Sequence, residues 1–298
     1  MADARPSDRP YLVGLVGNGV TPSLTPPMHM AEAQALGIPY VYRPIDLTAL
    51  GLSPDTIGDV LHWAEHLGFD ALNITHPCKR LVLDYLDRVD PVAAALGAVN
   101  TVLLTPEGRV GFNTDTTGFA AGFVTGLPDA ATDRVVQLGA GGAGSAVADA
   151  LLRIGVGRLT IVDVDARRAA ELAADLGGRH GGERVVAGAL PDLSTLLDAA
   201  DGVVHCTPTG MAEHPGIPFS AQLLRPELWV ADIVYRPFET ELLRAARAVG
   251  ARTLDGGRMA VFQAVDAFAL ITGVHPDPDR MSAHFHTLVG ADHEILTR

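Results

Sequence analysis

Apolar and polar positions alternate in blocks along the chain. Tyr11–Val16 is an apolar run closed by Gly17, the length and texture of a buried strand. Pro26-Pro27 opens a helical pattern that continues to about Leu36, Tyr40–Ile45 reads as a strand, Pro54–Leu67 as a helix and Phe69–Ile74 as another strand. Val99–Leu104 and Arg109–Phe112 flank Pro106-Glu107-Gly108, which predicts a hairpin. A second series starts near residue 134. Arg134–Leu138 is a short strand, a helical pattern follows to about Ile154, Leu159–Val162 is the next strand and Arg167–Leu176 the next helix. Gly177–Gly182 reads as a glycine-rich loop, Gly202–His205 and Trp229–Ile233 as short strands, and the chain from Met259 is helical with breaks near Pro276 and Pro278. Helices inserted between strands predict βαβ units, mostly parallel sheets and an α/β fold.

A chain of 298 residues, 48% of them hydrophobic, is long enough for about two domains. Aromatic residues make up only 5%, which suits closely packed helix-on-sheet layers. The net charge of −13 is spread along the chain. Nucleic acid is therefore not an expected partner, since affinity for a polyanion comes from clustered cations. The first ten residues are polar and no apolar run reaches membrane-spanning length, so neither a leader nor a membrane partner is expected. Cys78 and Cys206 are too few and too far apart for a disulfide framework or a zinc site. The expectation is a cytoplasmic protein with reduced thiols and no metal, a monomer or a homodimer. Lys79 is the single lysine, every other strong cation being arginine.

The residues Gly139, Ala140, Gly141, Gly142, Ala143 and Gly144 spell G-x-G-x-x-G. The pattern alone is weak, but here it follows a strand, opens a helix and is answered by an acid at the end of the next strand. The first glycine permits the tight turn, the second lets backbone approach a pyrophosphate, and the third lets helix and strand pack closely. N–H groups at the helix start then receive phosphate. Asp163, about 20 residues beyond the last glycine, is placed to accept hydrogen bonds from the adenosine ribose hydroxyls. Two unit charges ~4 Å apart at an effective dielectric of ~20 repel by about 4 kcal/mol, so this carboxylate favours NAD over NADP. Arg167 and Arg168 stand against that reading as possible phosphate partners, whereas Asp165 reads as the cap of the helix that follows.

Further motifs run through the chain in order: Asn73-Ile74-Thr75-His76-Pro77-Cys78-Lys79, Gly97-Ala98-Val99-Asn100-Thr101, Gly111-Phe112-Asn113-Thr114-Asp115, Asp232-Ile233-Val234-Tyr235 and Met259-Ala260-Val261-Phe262-Gln263. On these the chain resembles the shikimate dehydrogenases over nearly its whole length. The resemblance implies an N-terminal α/β substrate domain (residues 1–115, completed by 259–298) and a Rossmann domain (116–258), with C-terminal helices returning to the substrate domain. It implies NAD(P)-linked oxidation of a ring hydroxyl on a cyclic hydroxy acid, quinate or shikimate. By the resemblance Lys79 and Asp115 are the catalytic pair. Oxidation of a carbinol needs a group that takes the hydroxyl proton, and arginine, with a pKa above ~12, cannot replace lysine in that exchange. Asp115 also reads as a helix cap, which does not exclude catalysis.

The resemblance further assigns Ser23 and Thr25, in Pro22-Ser23-Leu24-Thr25-Pro26, to the substrate carboxylate. Thr25 before Pro26-Pro27 is also a good N-cap, and a helix N-terminus suits a carboxylate. Asn73, Thr75, Asn100 and Gln263 carry over as partners of the ring hydroxyls and Tyr235 as a neighbour of carboxylate and nicotinamide. Thr207 and Met211, in Cys206-Thr207-Pro208-Thr209-Gly210-Met211, carry over as cofactor contacts, and Arg168 is a further candidate cofactor-binding residue. Thr25 and Asp163 together resemble the NAD-linked quinate/shikimate branch. Alternatives are an NADP-linked biosynthetic shikimate dehydrogenase, an aminoshikimate dehydrogenase, or a non-catalytic NAD-binding regulator, against which the Lys79/Asp115 pair argues. Arg258 stands where many members have glycine and receives no role. His62 and His66 read as solvent-facing, His76 and Cys78 as packing or turn residues, and His29 as a possible neighbour of the substrate loop.

Overall fold

The computed structural model describes residues 9–296, with side chains to residue 290. The described residues form two compact units: one runs to Thr114 and resumes at Val261, the other is Asp115–Ala260.

The first unit holds a six-stranded sheet of β1 (Tyr11–Gly17), β2 (Tyr40–Asp46), β3 (Ala71–Ile74), β4 (Arg88–Val89), β5 (Thr101–Thr105) and β6 (Gly108–Phe112), in the order β2-β1-β3-β5-β6-β4. β1 pairs in parallel with β2 and β3, while β3–β5 and β5–β6 are antiparallel. Period-two alternation sends Val13, Leu15 and Ala71 into one apolar cluster and Val16, Leu72 and Ile74 into another, so both faces are covered. The helices Gly256–Thr272 and Pro278–Leu296 end the chain. Phe268 packs with Ala33 and Ile38. Buried Glu32, on the helix Thr25–Ala35, accepts from Arg280 Nε (2.7 Å) and Nη2 (2.6 Å) and from the Asp277 N–H (2.8 Å).

The second unit is a fully parallel sheet of β7 (Arg134–Leu138), β8 (Arg158–Val162), β9 (Val185–Ala187), β10 (Gly202–His205), β11 (Trp229–Asp232) and β12 (Thr253–Leu254). Its order, β12-β11-β10-β7-β8-β9, reverses direction between β7 and β10, the topological switch point of a doubly wound sheet. β10 and β11 are buried throughout, as a sheet covered on both faces requires.

Several elements depart from the sequence expectation. The first sheet is mixed, because the hairpin reverses direction inside it. Two-residue β4 and β12 and three-residue β9 carry no readable period. The stretch 54–67 divides into a 3₁₀ turn, Pro54–Thr56, and the helix Ile57–His66. Where a loop was expected at Gly177–Gly182, the helix Ala166–His180 continues through Gly177 and Gly178. Each glycine costs about 1 kcal/mol there. Ala169, Leu172, Ala173 and Leu176 are buried along its inner face, and its last turn is fastened to Asp149.

Asp149 lies fully buried on the helix Gly142–Arg153 and accepts from Arg153 Nε (2.5 Å), Arg179 Nη1 (2.9 Å) and the ring of His180 (2.8 Å). Burial alone would raise its carboxyl pKa, but the hydrogen bonds from Arg153 and His180 and the charges of Arg153 and Arg179 outweigh it and hold the value below the ordinary 3.8. A depressed carboxyl pKa contributes stability that is present above the unfolded value and lost as pH falls. Asp149→Ala should cost about 3 kcal/mol, the scale of breaking a buried ion pair. In thermal unfolding from pH 7 to 3, the variant should show less of the acid-side fall in Tm than the unaltered protein.

Candidate functional site

In the first unit the polar residues of interest gather at one end of the sheet. β1 and β3 finish there, β5 begins there because it runs antiparallel to β3 with Asn73 opposite Thr101, and β6 ends beside Thr101 at Phe112. The Tyr42 hydroxyl donates to Asn73 Oδ1 (2.5 Å), and Asn73 Nδ2 donates to the Thr101 hydroxyl (2.9 Å). Thr101 donates in turn to Asn100 Oδ1 (3.1 Å). Asn100 and Thr114 exchange two bonds of 2.9 Å, and the Thr114 hydroxyl donates to the Gln263 carbonyl (3.0 Å). Asn73, Asn100 and the backbone at Gln263 therefore sit in one hydrogen-bonded chain, with Tyr42, Thr101 and Thr114 as supports. Only the geometry of the mixed sheet exposes those three; isolated threonines and a strand tyrosine give no such signal.

Thr75 follows β3 directly, its N–H on the Val16 carbonyl and its own carbonyl accepting from Cys78. Lys79 lies half-buried in the single-turn helix Cys78–Leu81, and its carbonyl accepts the Val99 N–H (2.8 Å), which ties this turn to the start of the Asn100 segment. Asp115 is the buried first residue of the helix Asp115–Gly126, immediately after Thr114.

The loop after β1 corrects one expectation. Thr25 was expected to cap its helix, but Leu24 holds the capping position and Thr25 is already helical. The Thr25 N–H donates to the Ser23 hydroxyl (3.3 Å), Met28 N–H bonds to Leu24, and Pro26 and Pro27 have no N–H to offer. The first turn thus offers the half-buried hydroxyls of Ser23 and Thr25 in place of backbone amides. Asp46, at the end of β2, holds the loop. It accepts from the Gly19 N–H (2.9 Å) and from the Thr21 N–H (3.0 Å) and hydroxyl (2.7 Å), while also capping Leu47–Leu50. An aspartate closing a strand ahead of an apolar turn is a readable capping signal. His29, by contrast, is enclosed by Tyr40, Tyr42 and Phe268, and burial pushes its pKa down to about 3; it is a core residue. His62 and His66 are exposed with rings 4.2 Å apart. Among the described residues no group of three or more His, Cys, Asp or Glu could hold a metal.

In the second unit Gly139 follows β7 with φ +102°, a conformation that disfavours any side chain. A Cβ on Gly144 would lie 2.3 Å from the Gly139 carbonyl oxygen, so only glycine lets the helix pack this closely on the turn. Gln137 Nε2 donates to the Gly139 (2.9 Å) and Gly144 (2.8 Å) carbonyls and holds turn and helix together. A Cβ on Gly141 or Gly142 meets nothing within 4 Å, and both residues are exposed at the helix start with Ala140 and Ala143 partly so. Asp163 follows β8; its Oδ2 accepts the Ala140 N–H (2.7 Å) and its Oδ1 the Asp165 N–H (2.9 Å). A carboxylate has about four acceptor positions, so it retains capacity for two further donors. Asp165 caps its helix through the Arg167 N–H. Arg167 pairs with Glu171 at 3.8 Å and Arg168 with Asp165 at 3.5 Å, both arginines being exposed. Thr207 is half-buried after β10, Met211 is exposed, and Tyr235 is partly buried after β11.

A glycine turn at the switch point of a doubly wound sheet, answered by an acid after the second strand, is the arrangement of a dinucleotide-binding oxidoreductase. The family model described as the shikimate dehydrogenase substrate-binding domain matches residues 15–102, and that of the saccharopine dehydrogenase NADP-binding domain matches 135–213. A relative from Pseudarthrobacter chlorophenolicus, named shikimate dehydrogenase (NADP(+)), is 59% identical over 95% of this chain and 96% of its own. One from Corynebacterium efficiens, named quinate/shikimate dehydrogenase (NAD(+)), is 49% identical over 93% and 98%. The solved quinate dehydrogenase from Corynebacterium glutamicum in complex with NAD superposes with a TM-score of 0.87 at 48% identity, covering 94% of this chain and all of that one. The chain belongs to the shikimate dehydrogenase family.

The Thr21 hydroxyl and amide, against the opposing effect of burial and with help from the Ala49 and Gly19 amides, hold the Asp46 carboxyl down at about 2. Its folded pKa lies below the ordinary 3.8, so its grip on the loop is complete above about pH 4 and is lost as pH falls through 2. Asp46→Ala should speed amide exchange at Gly19 and Thr21 about fivefold at neutral pH, equivalent to the ~1 kcal/mol of a lost cap. Residue-resolved hydrogen exchange measures this; unchanged rates would remove Asp46 as the loop's anchor.

Proposed function

We propose that the chain is an NAD-dependent dehydrogenase that reversibly oxidises the C3 hydroxyl of quinate or shikimate to the 3-dehydro acid. The observation that carries the cofactor choice is Asp163, its two oxygens already aligned by the Ala140 and Asp165 amides at the end of β8. The same carboxylate that accepts from two ribose hydroxyls repels a 2′-phosphate. The open space at Gly141 and Gly142 fits the pyrophosphate of such a dinucleotide, with Gly139, Ala140, Ala143 and Gly144 completing the turn. Arg168, paired with Asp165, is left to flank the adenosine. Thr207 and Met211 take the nicotinamide half.

When bound, the nicotinamide ring supplies the hydride acceptor for the carbinol carbon. The chain's own residues bind the acid and manage its proton. Ser23 and Thr25 hold the carboxylate through their hydroxyls, with Tyr235 beside it. Asn73, Thr75, Asn100 and Gln263 supply donors and acceptors to the ring hydroxyls, and the bonds among Tyr42, Asn73, Thr101, Asn100 and Thr114 fix which atoms of the two asparagines are committed elsewhere. Lys79 accepts the hydroxyl proton as the carbon loses hydride, and Asp115 orients the ammonium group that results. Arginine could not replace Lys79 in that exchange.

A second reading, an NADP-linked shikimate dehydrogenase, is favoured by the name of the Pseudarthrobacter relative. Comparing kcat/KM for NAD and NADP crossed with quinate, shikimate and aminoshikimate separates the two, and a preference for NADP would overturn the cofactor assignment. Asp163→Ala should raise the NADP-to-NAD ratio of kcat/KM by about tenfold or more, in keeping with removal of a charge repulsion of several kcal/mol. Lys79→Ala should lower kcat about 100-fold or more with a smaller effect on KM, the signature of a lost general acid/base. Near-normal turnover in that variant would remove Lys79 from the chemistry.

A further inference from the structure

The parallel register of β10 and β11 sets His205 opposite Asp232, and both side chains are wholly enclosed. His205 Nδ1 lies 3.0 Å from Asp232 Oδ1. The same carboxylate oxygen accepts the Val234 N–H (3.0 Å), and Oδ2 accepts the Thr240 hydroxyl (2.7 Å). An ionised carboxylate only accepts, so the proton of this contact belongs to Nδ1 of the imidazole. The other ring nitrogen, Nε2, lies 2.5 Å from the Thr207 hydroxyl oxygen. In a neutral ring protonated on Nδ1, Nε2 is an acceptor, and Thr207 must be the donor.

That assignment fixes the polarity of Thr207. A hydroxyl has one hydrogen and two lone pairs. With the hydrogen turned inward to Nε2, the oxygen meets everything else as an acceptor. The Thr209 N–H donates to it at 3.3 Å, and the Thr209 hydroxyl, at the same distance, is an alternative acceptor for the Thr207 hydrogen, which goes to Nε2 as the much nearer partner at 2.5 Å. Both contacts are long, so the outward lone pair remains available to a stronger donor.

We propose that His205, oriented by Asp232, is a positioning residue that turns Thr207 into a dedicated acceptor for a hydrogen-bond donor on the nicotinamide riboside half of the dinucleotide, either a ribose hydroxyl or the carboxamide NH₂. A phosphate, which offers acceptors only, is disfavoured at this position. The inference rests on the placement of Thr207 proposed above. It acts through His205, which the motif reading passed over, since a histidine inside an apolar strand otherwise reads as a core residue.

The test is a binding series on the full-length protein, using NAD and titration calorimetry. Thr207→Val should raise Kd about fivefold or more, Thr207→Ser should restore it, and His205→Leu should raise it by a similar factor while kcat at saturating NAD stays within about twofold. The double variant should bind no more weakly than either single one. If Thr207→Val weakens binding and His205→Leu does not, His205 does not position Thr207 and the inference falls alone. An unchanged Kd in Thr207→Val takes away the placement of Thr207 and the inference with it. The analogue 3-acetylpyridine adenine dinucleotide, which lacks the amide, identifies the donor: the Thr207→Val effect persists with it for a ribose hydroxyl and vanishes for the carboxamide. Should His205→Leu fail to fold, ¹⁵N NMR of the ring in the unaltered protein decides. A proton on Nδ1 with Nε2 bare is expected; protonation of Nε2, alone or together with Nδ1, overturns the proposal.

Discussion

Polar side chains buried where strands end must be hydrogen-bonded, because an unpaired buried donor or acceptor costs about 1–3 kcal/mol. That requirement shapes the candidate site residues in each unit. Asn73 and Asn100 are nearly inaccessible, and their amides are aligned by Tyr42, Thr101 and Thr114. Asp163 is aligned by two backbone amides, and Asp46 spends both oxygens on the loop that carries Ser23 and Thr25. Each such bond removes rotamer freedom before any ligand arrives. A site built this way loses less entropy on binding than one made of mobile surface side chains.

The two units reach this condition by different sheet geometries. In the parallel sheet, the reversal of strand order between β7 and β10 leaves room outside the strand ends, and the glycine turn and the loop after β10 flank that position. In the mixed sheet, the antiparallel entry of β5 brings a strand start to the same end as the termini of β1 and β3. Thr101 and Asn73 thereby become direct neighbours although 28 residues separate them. A purely parallel arrangement would carry the start of β5 to the opposite end of the sheet and leave Asn73 without its partner.

Much of this was legible in the sequence where the physics is local. The strand–glycine–helix unit at 134–153 and the acid at 163 could be read because turn, close packing and capping each demand a residue type at a fixed spacing. The hairpin at 101–112 announced itself by its turn. What could not be read depends on pairings distant in sequence. Tyr42 acquires its role only through Asn73, and Glu32 through Arg280, 248 residues away. The helix through Gly177 and Gly178 is stable because Asp149, on another helix, receives its last turn, which no local propensity records. The misread cap at Thr25 has a different origin. Proline at both following positions satisfied the pattern of a capped helix start, yet it also removed the N–H groups that make such a start useful to an anion.

Backbone amides act as anion receptors whatever the side chains are, whereas hydroxyl pairs depend on identity and on a single χ1 rotamer. In the second unit the open helix start at Gly141 and Gly142 leaves recognition of a phosphate to the backbone, so side-chain identity there matters chiefly for the space it leaves free. In the first unit Pro26 and Pro27 have closed that route, and the helix start offers the hydroxyls of Ser23 and Thr25 instead. The dinucleotide turn should therefore tolerate polar substitution around it so long as its glycines remain. The loop after β1 should not, because what it offers is two hydroxyls and an aspartate that fixes the loop at Gly19 and Thr21.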